Sequence, residues 1–122
     1  AAAGLNRLGI DSFPGLTFRP LALSEIIPAA GQGAIAVQCR EEDESRVAPW
    51  LCEETARAVG LERAMLARLG GGCHTGVGVH FREGVLHVYH EDWGRHERRL
   101  RSRSPQKAGA ELDAMIEDMA KK

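Results

Sequence analysis

Residues 53 to 72 read Glu53-Glu54-Thr55-Ala56-Arg57-Ala58-Val59-Gly60-Leu61-Glu62-Arg63-Ala64-Met65-Leu66-Ala67-Arg68-Leu69-Gly70-Gly71-Gly72. Leu61, Met65 and Leu69 recur at i, i+4 and i+8 with Leu66 beside them, the spacing of one apolar helix face. This predicts a helix over Glu53–Leu69. The glycine run ends it, because glycine takes up the left-handed conformation that closes helices. Gly60 is its weak point, since an interior glycine costs about 1 kcal/mol relative to alanine. Beyond the glycines, Gly76–Arg82 and Val85–His90 carry strand residues on either side of Glu83-Gly84, the pattern of a tight hairpin. Gly94–Arg103 reads as a third strand whose charges require a solvated face. Ser104 is expected to cap a last helix with Pro105 in its first turn. Leu112, Met115, Ile116 and Met119 give that helix an apolar face as far as about Ala120. Helix, three antiparallel strands and helix make an α+β unit, with helices packed on one face of a small sheet.

Upstream of Glu53 the signals are shorter. Ala1–Leu8 reads as the last turns of a helix stopped by Gly9. Ile10–Pro20 holds Pro14, Gly15 and Pro20 and reads as a loop. Leu21–Ile27 is apolar and ends at Pro28, which disfavours helix just before it. Ala29–Gly33 is small and glycine-rich. It runs into Ala34-Ile35-Ala36-Val37-Gln38-Cys39, apolar at nearly every position, as in a strand buried on both faces of a parallel sheet. No second strand of that kind is present to pair with it. Together with the helix-like opening Ala1-Ala2-Ala3, this leads us to expect sequence upstream. An unpaired apolar strand is also an association site, so self-association through Ala34–Cys39 is expected. The acidic run Glu41–Glu44 reads as a solvated helix start, and Ser45–Leu51 as a short helix.

The 122 residues are 43% hydrophobic and 27% charged, with a net charge of −1, the balance of an ordinary globular domain. No apolar run approaches the ~20 residues that span a bilayer. Ala1–Ala3 carries neither the basic region nor the apolar core of a secretory leader. Near-neutral charge argues against bulk attraction to nucleic acid or an anionic membrane. Cys39, Cys52 and Cys73 fit no disulfide framework, so a reducing, cytoplasmic setting is expected. No Cys-x2-Cys or His-x3-His pair occurs, and His87 and His90 fall on opposite faces of a strand, so no residue is assigned to a metal. Arg95, Arg98, Arg99, Arg101 and Arg103 have only Tyr89 and Trp93 nearby for base stacking. They read as a solvated edge strand, not a nucleic-acid groove. Gly31-Gln32-Gly33 lacks the Lys-Ser/Thr step of a phosphate loop and precedes a strand, so it is read as a hinge or close-packing element.

The chemistry converges on Cys73. The helix over Glu53–Leu69 delivers a thiol just after three glycines, which permit unusual backbone angles and close approach of another group. Its thiolate is the reactive form. A helix C-terminus does not stabilise an anion, so any activation comes from cations on other segments.

Here the sequence resembles a known family. Glu62, Arg63, Met65, Leu69, Gly71, Gly72, Cys73, Thr75, Val77 and Gly78 follow the signature of the porphobilinogen deaminases, also called hydroxymethylbilane synthases. Ala3-Gly4-Leu5-Asn6-Arg7-Leu8-Gly9, and Pro28-Ala29-Ala30-Gly31-Gln32-Gly33-Ala34 with Arg40, resemble two further blocks of that family. Gly76 departs from it, standing where the family usually has proline. From Phe81 onward only the pattern matches.

The resemblance implies a transferase of porphyrin (haem, tetrapyrrole) biosynthesis. Such enzymes join four porphobilinogen units into linear hydroxymethylbilane with release of ammonia, on a dipyrromethane cofactor that stays bound as primer. The cofactor is joined by a thioether to the cysteine matching Cys73. It implies cofactor-binding roles for Cys73, Arg7, Gly71 and Gly72, with the arginine fork suited to the carboxylates of porphobilinogen and the growing oligopyrrole. It divides the chain into 1–24, the end of a second α/β domain; 25–50, a crossover and strand returning to a first α/β domain; and 51–122, the cofactor-carrying α+β domain. The catalytic aspartate of the family falls upstream, so no catalytic residue is assigned here. The chain by itself is expected to be inactive without the N-terminal domains. The alternative is a non-catalytic, stand-alone binding module that keeps the cysteine-loop fold.

Overall fold

The computed structural model describes residues 2–70 and 75–121. In chain order the elements are α1 (Ala2–Leu8), α2 (Glu44–Val47), α3 (Glu53–Leu69), β1 (Val77–Arg82), β2 (Val85–His90), β3 (Gly94–Arg99) and α4 (Gly109–Ala120). Among the described residues no helix is long and apolar enough to cross a membrane.

The predicted central helix is α3, and Gly70 closes it in the left-handed conformation at φ 67°. The hairpin forms as its turn residues require. Glu83 (φ 52°) and Gly84 (φ 84°) are both left-handed, as a two-residue turn matching strand twist demands. Val79 sits opposite Val88, and Val88 opposite His96, giving an antiparallel sheet of order β1-β2-β3. One face of the sheet presents Val79, Leu86 and Val88. Leu61 and Met65 from α3 and Leu112, Met115 and Met119 from α4 cover it. The fold is therefore α+β with both long helices against one sheet face. Gly60 proves to be a contact point: a Cβ there would lie 2.6 Å from Pro105 Cγ.

Four sequence expectations are corrected. Ala34–Cys39 forms no strand, and Ile35 is 91% exposed; among the described residues nothing offers it the backbone pairing a strand needs. Ser45–Leu51 is not one helix but α2 between single 3-10 turns at Glu41–Asp43 and Ala48–Trp50, where Pro49 cannot donate into a longer helix. The third strand stops at Arg99, because β2 begins at Val85 and offers no partner beyond it. Ser104 does not cap α4. It accepts from the Lys107 and Ala108 N–H groups in a separate turn, and α4 starts at Gly109. The residues Gly71, Gly72 and Cys73, on which the cofactor assignment rests, lie outside the described residues.

Two carboxylates fasten this unit. Glu62 points into the interior from α3 and is 4% exposed. Its Oε2 accepts the Gly31 N–H at 2.7 Å, and its Oε1 accepts the Phe81 N–H at 2.8 Å. His80 Nδ1 lies 3.1 Å from the same Oε1. Glu111 in the first turn of α4 accepts the Arg101 and Ser102 N–H groups at 2.8 and 3.0 Å. These backbone hydrogen bonds, Arg101 first and then Ser102, hold its carboxyl below the ordinary carboxylate value.

Two outcomes follow. Glu62→Ala strands two backbone donors and is expected to cost about 3 kcal/mol in urea unfolding, with Glu62→Gln costing less because one acceptor oxygen remains. A Glu62→Ala loss under about 0.5 kcal/mol would contradict this role. Because the folded pKa of Glu111 is depressed, its contribution to stability is complete above the unfolded value and is lost as pH falls through the folded one. Glu111→Gln is therefore expected to flatten the acid limb of the stability profile below pH 4.5, and an unchanged acid limb would refute the assignment.

Candidate functional site

The segment holding Cys73 leaves α3 and enters β1, and the described residues define both of its ends. At the α3 end, Arg68 donates from Nε to Asp113 Oδ1 of α4 at 2.7 Å and from Nη1 to the Ala64 carbonyl at 3.0 Å. The last turn of α3 is thus tied to α4. Among the described residues, a Cβ on Gly70 would meet nothing within 4 Å. At the β1 end, the Gly76 N–H donates to Glu91 Oε2 at 3.1 Å.

The turn that carries Glu91 is itself braced. The His90 and Trp93 rings stack with centroids 4.2 Å apart. His90 Nδ1 accepts the Asp92 N–H at 3.2 Å, and His96 Nε2 lies 2.8 Å from the Trp93 carbonyl.

The glycine-rich segment upstream packs against the same unit. The Pro28 carbonyl accepts the Val79 N–H at 2.9 Å on the outer edge of β1. A Cβ on Gly78 would fall 2.3 Å from the Ile27 carbonyl oxygen, so only glycine admits this crossing. Gly31, left-handed at φ 75°, brings its N–H to Glu62. Of the two roles read for Gly31-Gln32-Gly33, close packing is the one visible at Gly31. Arg95 of β3 donates to the Leu23 carbonyl and fastens the start of this segment to the sheet.

The structure places Arg7 in α1. It sits exposed in the last turn of α1, a helix that buries none of its residues. Among the described residues no ion pair or hydrogen bond links it to Gly70 or Gly76. The other thiols, Cys39 and Cys52, are exposed and free. Cys39 borders an open groove of 730 Å³ with Arg40, Arg46 and Trp50. Hydrogen bonds from Thr55, side chain first and backbone second, pull the Cys52 thiol below the ordinary cysteine value.

Sequence reasoning listed Glu62 as a motif letter and missed its role. The signal was present, since an acid next to Leu61 and three residues before Met65 falls inside the buried arc of the helix. Glu91 left no such signal, because only the sheet register sets it beside Gly76.

A family-model match covers the two upstream blocks and stops before the segment that holds Cys73. Residues 1–48 match the family model described as porphobilinogen deaminase, dipyromethane cofactor binding domain. The chain is 48% identical over 82 residues to a porphobilinogen deaminase of Roseiflexus, which covers 65% of the chain and 26% of the relative. It is 47% identical over 76 residues to that of Streptococcus sanguinis, with coverages of 60% and 25%. It is 38% identical over 106 residues to that of Sphingopyxis alaskensis, with coverages of 79% and 32%. The chain thus spans between a quarter and a third of the length of the curated relatives it matches. On these matches the chain is similar to porphobilinogen deaminases over part of their length, which fits a C-terminal fragment.

Proposed function

We propose that this chain is the cofactor-carrying part of a hydroxymethylbilane synthase, with a dipyrromethane primer held through a thioether at Cys73. The observation that carries the reading is the Glu62-to-Cys73 signature, in a chain 38% to 48% identical to proteins named porphobilinogen deaminase. The described residues fit such a group. Among the described residues nothing lies within 4 Å of a Cβ on Gly70 at one end of the segment, and Gly76 adds no side chain at the other. When bound, the dipyrromethane supplies the primer to which porphobilinogen units are added with loss of ammonia.

The roles of the chain's own residues follow from their chemistry. The Cys73 sulfur is a soft nucleophile able to form the carbon–sulfur bond to a pyrrole methylene. Gly71 and Gly72 leave room beside it for planar rings. Arg7 offers a planar fork for pyrrole carboxylates once α1 is seated against the rest of the enzyme. Turnover belongs to the assembly with the N-terminal domains, in the cytoplasm, and porphobilinogen and the growing oligopyrrole are its ligands.

Intact-mass analysis of the chain, co-produced with the remaining part of such a deaminase, tests this reading. A dipyrromethane adduct is expected, mapping to Cys73 and lost in Cys73→Ser. An adduct on Cys39 or Cys52, or none at all, would overturn it.

The exposed stretch Ala34–Cys39 is proposed as the surface through which the separate chain self-associates. Ile35 and Val37 are 91% and 58% exposed, and apolar backbone without a ladder partner recruits one. Sedimentation should show concentration-dependent association that Val37→Lys suppresses. A strictly monomeric parent chain would rule it out.

A further inference from the structure

We propose that Glu91 is a positioning residue for the segment that carries Cys73. Its carboxylate holds Gly76 and so fixes where that segment enters β1. The inference rests on the reading above for the importance of Cys73, and on the structure for everything else.

Val77 pairs with His90 at the end of the β1–β2 ladder. Gly76 and Glu91 are the next residues outward, where backbone pairing stops. There the Glu91 side chain takes over, accepting the Gly76 N–H on Oε2. The approach is close: a Cβ on residue 76 would lie 3.2 Å from that oxygen and 3.4 Å from Glu91 Cβ. Glycine therefore suits this site by its small size. It also brings the widest backbone freedom of any residue, which a point of entry into a strand must lose. The family resemblance puts proline here. Proline would restrict φ through its ring and has no N–H to donate. In this chain a hydrogen bond supplies the restriction that a ring would give.

The arm that does this is stiff at its base. The His90–Trp93 stack and the hydrogen bonds at Asp92 and His96 brace the β2–β3 turn. Glu91 is itself exposed and contributes nothing to the apolar core. Its loss is therefore expected to loosen the entry to β1 while leaving the fold in place.

The test uses the full chain with Cys39→Ser and Cys52→Ser, so that Cys73 is its only thiol. Three quantities are compared in the parent, Glu91→Ala and Glu91→Gln: hydrogen exchange at the Gly76 amide, the second-order rate of maleimide addition to Cys73, and the urea midpoint. In Glu91→Ala, Gly76 exchange is expected to rise about three- to tenfold, the loss of one modest hydrogen bond. The maleimide rate should rise more than about twofold in step, with the midpoint unchanged. Glu91→Gln keeps an acceptor oxygen and should restore most of both. Exchange or thiol rate unmoved in Glu91→Ala, or equal effects of Ala and Gln, would overturn the proposal. If Glu91→Ala lowers the midpoint, Glu91→Asp, whose carboxylate is one methylene short of Gly76, is judged by the same criteria. All three readouts are made on the free thiol. A missing dipyrromethane adduct would thus overturn the functional reading alone, and unmoved exchange would overturn the role of Glu91 alone.

Discussion

A buried carboxylate must find donors, and Glu62 finds two, the Gly31 N–H and the Phe81 N–H, with His80 Nδ1 3.1 Å from its Oε1. A charge removed from water is tolerated only when its lone pairs are filled this way. That constraint fixes three parts of the chain relative to one another. α3 cannot rotate without pulling Oε1 from β1, and the glycine-rich segment cannot lift without exposing Oε2. The outer edge of β1 is closed by the same arrangement, with Pro28 taking the Val79 N–H and Glu62 taking the Phe81 N–H. Among the described residues β3 remains the free sheet edge, and its Arg95, Glu97 and Arg99 suit it to solvent.

Packing elsewhere divides sharply along the chain. From α3 onward, Leu61, Met65, Val79, Leu86, Val88, Leu112, Met115 and Met119 close one core. Among the described residues before α3, Ile27 is the one buried hydrophobic side chain, and Phe13, Leu16, Ile35, Val37 and Trp50 are exposed. A segment this apolar and this little buried is the kind of surface that another polypeptide covers. That agrees with a chain spanning a quarter to a third of its relatives.

The parts legible in the sequence were those governed by local rules. The period of Leu61, Met65 and Leu69 gave α3 to the residue, and Glu83-Gly84 marked the hairpin, because helix faces and two-residue turns are set by neighbours in sequence. Ala34–Cys39 was misread because a continuous apolar run states a preference that only partner strands can satisfy. Ser104 was misplaced because its turn is set by Pro105 lying across Gly60, a contact 45 residues distant along the chain that no local pattern encodes. At the site, the cysteine motif was legible from residue order. The acids that brace its surroundings were not, since Glu62 and Glu91 act through register and burial.

Those two acids sit at opposite ends of β1. Glu62 engages it at His80 and Phe81, and Glu91 engages the residue that precedes it, Gly76. A strand rises about 3.3 Å per residue, so the two anchors are roughly 17 Å apart along a single paired element. At one anchor Glu62 bridges the strand to Gly31, within the residues matched by the family model. At the other it meets the segment that carries Cys73. A paired strand resists bending because its neighbours share its hydrogen bonds, so a displacement at either anchor is carried to the other. Gly31 and Gly76 are 45 residues apart in sequence, yet Glu62 and Glu91 tie both to the same paired strand.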